Sequence, residues 1–177
     1  MKKSSSLFSA LTIAAATCAS TLSAANPAPS EKDMAAYLMV YFSDSDHSVH
    51  FAISHDGYSF TALNDNKPVI FGDTLADQRG IRDPHIYRGP DGDFYMAMTD
   101  LHIYAKKHGL RETEWERPDK YGWGNNRGLV LMKSSDLINW THHETRLDKL
   151  FPEEFGEIGC AWAPQTIYDP EKDAMMV

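Results

Sequence analysis

Apolar and aromatic residues run through this chain in short bursts cut by polar turns. Ala36–Ser43 (AYLMVYFS) and Val49–Ser54 (VHFAIS) are rich in aromatic and branched residues. Ser43-Asp44-Ser45-Asp46 separates them as a polar turn, so the two predict a hairpin. Asp56-Gly57 is a second turn signal leading to a strand near Tyr58–Leu63, and Asn64-Asp65-Asn66-Lys67-Pro68 closes the unit. Pro84–Arg88 and Phe94–Thr99 are split by Gly89-Pro90-Asp91-Gly92. Gly128–Ser134 and Ile138–His143 are split by Ser135-Asp136-Leu137. Thr166–Tyr168 starts a further strand, turned by Asp169-Pro170-Glu171-Lys172. Beyond residue 25 no stretch carries a 3.6-residue period over three turns, so the pattern predicts an all-β fold. Leu101–Asn126 breaks the rhythm. It is long and polar, yet holds Trp115, Tyr121 and Trp123. Loops of this length are usually functional or disordered; aromatics argue against disorder, which leaves a functional loop or an ordinary surface excursion.

The bursts repeat. Ser54, Asp56, Phe60 and Thr61 recur 80 residues later as Ser134, Asp136, Trp140 and Thr141. Pro84, Pro90, Asp93 and Met96 recur at the same offset as Pro164, Pro170, Asp173 and Met176. A fixed long period marks one supersecondary unit used more than once. Four short strands followed by a return to the pattern describe a propeller blade. One blade runs Pro84–Arg88, Phe94–Thr99, Gly128–Ser134, Ile138–His143, and the strands before Pro84 resemble the last three of a preceding blade. A closed propeller takes such a missing strand from its C-terminus and so removes an open edge. The final residues Met175-Met176-Val177 fall partway into a strand. The expectation is therefore the N-terminal part of a longer propeller, which would fold poorly by itself because core faces would stay open.

The N-terminus and the charge narrow the setting. Lys2 and Lys3, an apolar Ala-rich stretch from Leu7 to Leu22 and the small residues Ser23-Ala24-Ala25 read as a secretory signal peptide over residues 1–25, cleaved near Ala25. Residues 26–35, with Pro27 and Pro29, form a spacer, and residues 36–177 form the domain. The expected location is secreted or periplasmic. A lipid anchor at Cys18 is the weaker alternative, since Ala15-Ala16-Thr17 leads poorly into a lipidated cysteine. Cleavage removes Lys2, Lys3 and no acid, taking the formal charge from −8 to −10. Nucleic acid and anionic membrane surfaces need basic patches, so this charge argues against both as partners. Cys160 alone remains and has no internal disulfide partner; it reads as a small buried apolar residue rather than a nucleophile.

At one point the two copies of the repeat differ chemically. Arg82-Asp83-Pro84-His85 faces Trp162-Ala163-Pro164-Gln165. A structural role belongs to both copies, but only one offers a carboxylate. Asp83, at the start of an innermost strand, is thus the candidate for a general base or electrostatic stabiliser.

Arg82-Asp83-Pro84-His85-Ile86, Asp93-Phe94-Tyr95-Met96, Ser134 to Trp140 and Trp162-Ala163-Pro164, in this order, resemble glycoside hydrolase family 43. The resemblance implies a five-bladed β-propeller and removal of arabinofuranosyl or xylosyl units from plant polysaccharides, with inversion. It implies Asp83 as general base. It places Gln165 at the position of a second Asp that tunes and orients the acid; glutamine can orient but carries no charge. The family's general acid is a Glu on a later blade, and no residue of this chain matches it. Inversion needs two carboxyls about 6.5–9.5 Å apart.

Other candidates follow from position. Asp100, ending the second strand, is a partner for Asp83 or a cap of the long loop. His85 would point away from Asp83 along a strand and either contacts substrate or packs. Trp162 either stacks on a sugar or holds blades together. Asn126 and Arg127 either bond sugar hydroxyls or line a solvated rim. His142-His143 suggests a metal only weakly, because strand neighbours face opposite sides. Asn139-Trp140-Thr141 fits a glycosylation sequon, a short pattern common by chance. No cofactor is required; calcium is known in propeller channels, but nothing here specifies it. Two other readings compete. An invertase-like retaining hydrolase would need an Asn-Asp-Pro-Asn-type element, and Asn64-Asp65-Asn66 lacks the Pro. A carbohydrate-binding propeller without catalysis is suggested by Gln165.

Overall fold

The computed structural model describes residues 30–117 and 125–177. The expected signal peptide over residues 1–25, most of the expected spacer, Tyr121 and Trp123 lie outside them. Three antiparallel sheets follow one another along the chain. The first joins β1 (Tyr37–Phe42), β2 (Val49–Ser54) and β3 (Thr61–Ala62) in sequence order. The second is a four-stranded meander of β4 (Ile81–Arg88), β5 (Phe94–Asp100), β6 (Gly128–Ser134) and β7 (Thr141–Arg146). The third pairs β8 (Ile167–Asp169) with β9 (Ala174–Met176). Two single-turn helices, α1 (Leu147–Leu150) and α2 (Pro152–Phe155), precede β8. Pro at the first position of α2 suits a helix start, and neither helix is long enough to show a periodicity in sequence.

The 80-residue repeat is visible at atomic detail in the turns. Ser54 Oγ accepts the Gly57 amide at 2.9 Å, and Ser134 Oγ accepts the Leu137 amide at the same distance. Asp56 Oδ1 takes the amides of Tyr58 and Ser59, both at 2.8 Å; Asp136 Oδ1 takes those of Ile138 and Asn139, at 2.9 and 2.7 Å. Gly57 and Leu137 both adopt positive φ, 75° and 65°. These bonds hold Asp56 down at about 2 and push Asp136 lower still, the backbone amides being the largest cause. They also correct two strand boundaries. Amides spent on Asp136 cannot enter a ladder, so β7 begins at Thr141, not Ile138. The same turn confines β3 to Thr61–Ala62 and leaves Tyr58 exposed.

The core lies between the first two sheets. Alternation puts Val49 and Phe51 of β2 against Ile81, Met96, Met98, Val130 and Met132. Register aligns Met96 with Met132 and Met98 with Val130 across β5 and β6. Each of these side chains, fully buried, contributes roughly 1.5–3 kcal/mol. Trp140 meets Phe51 edge-on with ring centroids 6.4 Å apart, so the repeat residue after the Asp136 turn ties the two sheets together. Tyr95, Ala97 and Thr99 line the other face of β5. Tyr95 shares a cleft of about 130 Å³ with Tyr168 and Met175 of the third sheet. The second sheet is thus covered on both faces.

β4 starts at Ile81, three residues before the predicted Pro84. Asp83 therefore sits inside the strand, where the pairing with β5 slips between Arg82 and His85. Asp83 has φ 49° there. Cys160 is half-buried rather than buried, and its burial raises the thiol pKa. His142 and His143 are both exposed on β7, and among the described residues no group of three or more metal-ligating side chains forms. No described helix is long and apolar enough to cross a membrane.

Candidate active site

Tight turns close the sheets at one end, and longer connections gather at the other. Those connections are 43–48, 63–80, 101–127 and 147–166. Backbone bonds draw their ends together: the Ile81 amide reaches His47 O at 2.7 Å, Leu101 reaches Gly80 O at 3.0 Å, and Ala161 reaches Asn126 O at 2.8 Å. Irregular segments carried on a rigid sheet end are the usual place for binding and catalysis.

Asp83 emerges at this end. Its Oδ2 accepts the Thr99 hydroxyl at 3.0 Å, and the same hydroxyl oxygen accepts the Ala163 amide at 2.9 Å. Thr99 is fully buried, whereas Asp83 is only partly buried. Its repeat counterpart Ala163 has φ 48°, matching the 49° of Asp83, and a proline follows each. A non-glycine residue in that region stores strain of order 1–3 kcal/mol. Both copies share the strained corner, and an alanine makes it as well as an aspartate. The Asp83 carboxylate is therefore not what shapes the backbone.

His85 does not turn away from Asp83. The one extra residue at 83–84 leaves His85 opposite Ala97, on the face that carries Thr99. Its Nδ1 accepts the Thr166 amide at 3.1 Å, with the Thr166 hydroxyl at 3.0 Å. An amide can only donate, so the neutral ring carries its proton on Nε2. Thr99 and His85 thus clasp the 161–166 segment from the second sheet. Just before the first clasp Trp162 is 44% exposed, and between the two Gln165 is exposed, so both side chains reach solvent.

Two candidates are closed off. Asp100 is 1% exposed and lies on the opposite face of β5 from Thr99. Its Oδ1 accepts the Gln78 amide at 2.8 Å, so it caps the 76–80 turn rather than the long loop and does not meet Asp83. Burial, with Glu144 and Asp77 nearby, pushes its pKa up to about 7. Asn126 is fully buried; its Nδ2 donates to Ala161 O at 3.2 Å, and it is sealed from any sugar. Arg127 is half-buried, pairs with Asp148 at 3.4 Å and donates to Gly156 O. No hydrogen bond or ion pair among the described residues brings a second carboxyl to Asp83.

The structure also gathers residues that the sequence reading passed over. Arg82 pairs with Asp44, lies over the Phe42 ring at 4.5 Å and donates to His47 Nε2 at 3.3 Å. His47 stacks on His102 with centroids 4.0 Å apart. Burial first, then neighbouring positive groups, lowers both imidazoles to about 4, so the stack is neutral at pH 7. Gly80 makes room for it, since a Cβ there would stand 2.5 Å from that of His102. Arg111 holds the start of the long connection to Gln78 through Gln78 O at 2.9 Å and Gln78 Oε1. His47 lies in the polar run Asp44-Ser45-Asp46-His47-Ser48, so neither spacing nor hydrophobic context marks it in the sequence. The repeat could not reveal them, because His47 and His102 fall in connections that differ between its copies. A large cavity among the described residues, about 860 Å³, is apolar and lies at the tight-turn end among Met34, Leu38, Ile53, Val69 and Leu137, away from Asp83.

A mostly β arrangement of consecutive antiparallel sheets, with a partly buried carboxylate at the loop-bearing end, fits the sugar-cleaving class that its motifs resemble. Comparison with known proteins agrees. A family model described as "Probable glycosyl hydrolase domain", related to glycoside hydrolase family 43, matches residues 32–177, and the chain belongs to that family. An alpha-L-arabinofuranosidase of Bifidobacterium longum subsp. longum is 26% identical over 129 residues, covering 70% of this chain and 10% of that protein. The chain thus spans about a tenth of the length of the curated relative it matches. No solved structure matches.

Proposed function

We propose that this chain carries the base-bearing part of a secreted, inverting glycoside hydrolase. Its substrates are oligosaccharides or polysaccharides of plant type, with arabinofuranosyl or xylosyl units removed. Asp83 is the general base. The observation that carries this reading is the pair of matched corners: Ala163 holds φ 48° without a carboxylate, so the one at Asp83 serves something other than the backbone. The arabinofuranosidase relative supports the substrate class. The three successive sheets support a β-propeller architecture, five-bladed as the family resemblance implies.

In this reading Asp83 takes a proton from a water that attacks the anomeric carbon. The general acid sits about 6.5–9.5 Å away across the sugar, and we assign it to sequence outside residues 1–177. Gln165 orients it through hydrogen bonds without adding charge, and Trp162 offers an exposed ring to a sugar face. No metal is needed for these steps. The test is the anomeric configuration of the first-formed product, followed by proton NMR with the full-length protein on aryl arabinofuranoside and aryl xyloside. Inversion supports the proposal; retention moves the protein to the invertase-like mechanism. A second reading, a binding protein without turnover, is favoured by the amide at Gln165. Oligosaccharide binding with no product from either substrate would establish it.

A further inference from the structure

We infer that Thr99 is a positioning residue for the reaction, and that it designates Oδ1 of Asp83 as the oxygen that takes the proton. This rests on Asp83 being the base. A hydroxyl has one proton and two lone pairs. The Ala163 amide can only donate, so at 2.9 Å it occupies a lone pair of Thr99 Oγ1. The ionised carboxylate can only accept, so at 3.0 Å the hydroxyl proton points at Asp83 Oδ2. Neither partner allows the reverse, and the direction of the O–H bond is therefore set. Thr99 is fully buried, and its β-branched side chain is stiff at χ1.

Two consequences follow. The carboxylate cannot swing freely, because one oxygen is tethered to a buried strand residue. That oxygen already accepts a hydrogen bond, while Oδ1 accepts none among the described residues and is left for water. The same hydroxyl ties the base to the Trp162-Ala163-Pro164-Gln165 segment, which His85 grips three residues on through the Thr166 amide. The base on β4 and the exposed Trp162 and Gln165 side chains of the connection before β8 are thereby placed as one unit. Displacements of about 1 Å at a reacting group can cost on the order of 100-fold in rate.

The test uses the full-length protein, kinetics on an aryl glycoside substrate and thermal melts. Thr99→Ser keeps the hydroxyl and should keep kcat within about threefold of wild type. Thr99→Val keeps the shape but loses both bonds; kcat should fall by about 10- to 100-fold with KM within about twofold. Thr99→Cys, a weak donor, should fall between them and serves if the valine variant does not fold. In an Asp83→Asn background, Thr99→Val should add less than about threefold, because its partner's chemistry is already gone. Wild-type kcat in the valine or cysteine variant, or an undiminished loss in the Asp83→Asn background, overturns the role of Thr99. Full activity of Asp83→Asn alone instead overturns the base itself, so the two failures are separate.

Discussion

Asp100→Asn isolates one buried carboxyl and should change how stability depends on pH. Asp100 is 1% exposed, accepts the Gln78 amide at 2.8 Å, and has Glu144 and Asp77 nearby; burial is the main reason its pKa rises from the ordinary 3.8 to about 7. For an acid raised by folding, the stabilising contribution is fully present below the unfolded value and is lost as pH climbs through the folded one. Between pH 4 and 7 the unfolded chain releases this proton and the native chain keeps it. Stability thus falls by about 1.4 kcal/mol per pH unit from this group, roughly 4 kcal/mol over the full shift. His47 and His102 act in the opposite sense. Both are lowered to about 4, so their contribution is present above about pH 6.5 and lost as pH falls toward 4. The difference between wild type and variant cancels the histidines. The amide side chain of the variant still accepts the Gln78 amide but has nothing to ionise. Urea unfolding of the full-length protein at pH 5, 6, 7 and 8 should show the variant gaining on wild type as pH rises, by about 2–4 kcal/mol across the range. Parallel profiles would refute the buried, proton-bound Asp100.

The repeated turns and one tightly packed glycine give two further expectations. Ser54→Ala and Ser134→Ala remove equivalent acceptors for turn amides, so each should cost about 1–2 kcal/mol, and by similar amounts, in chemical denaturation. Gly72→Ala would set a Cβ 2.0 Å from the His47 carbonyl oxygen, a backbone atom with little freedom; a loss of about 3 kcal/mol or more is expected from thermal melts.

The mostly β character, the order of the strands and the turn chemistry were legible because alternation and Ser-x-Asp turns act locally. β2 and β6 fall where alternation puts them, Val49–Ser54 and Gly128–Ser134. Boundaries failed where side chains took over backbone donors: Asp136 holds the amides of Ile138 and Asn139 and delays β7. The repeat contrast singled out Asp83 as a candidate, but its strained φ inside β4 was not legible, since a slip in pairing leaves no periodic trace. Asn126 looked like a rim residue from its place in a polar loop, yet it is buried through its amide bond to Ala161, a contact 35 residues away in sequence. Thr99 had no distinguishing mark at all. Its importance comes from two partners, 16 and 64 residues distant, that only the packed sheets bring together.

The central claim is that the Asp83 carboxylate exists for chemistry and not for the corner it sits on. The direct measurement is kcat of full-length Asp83→Asn beside its melting temperature. The account predicts a loss of about 10²–10⁴ in kcat, the range for a lost general base, with the melting temperature within a few degrees of wild type. Unchanged kcat, or a variant that unfolds with the loss, would contradict it.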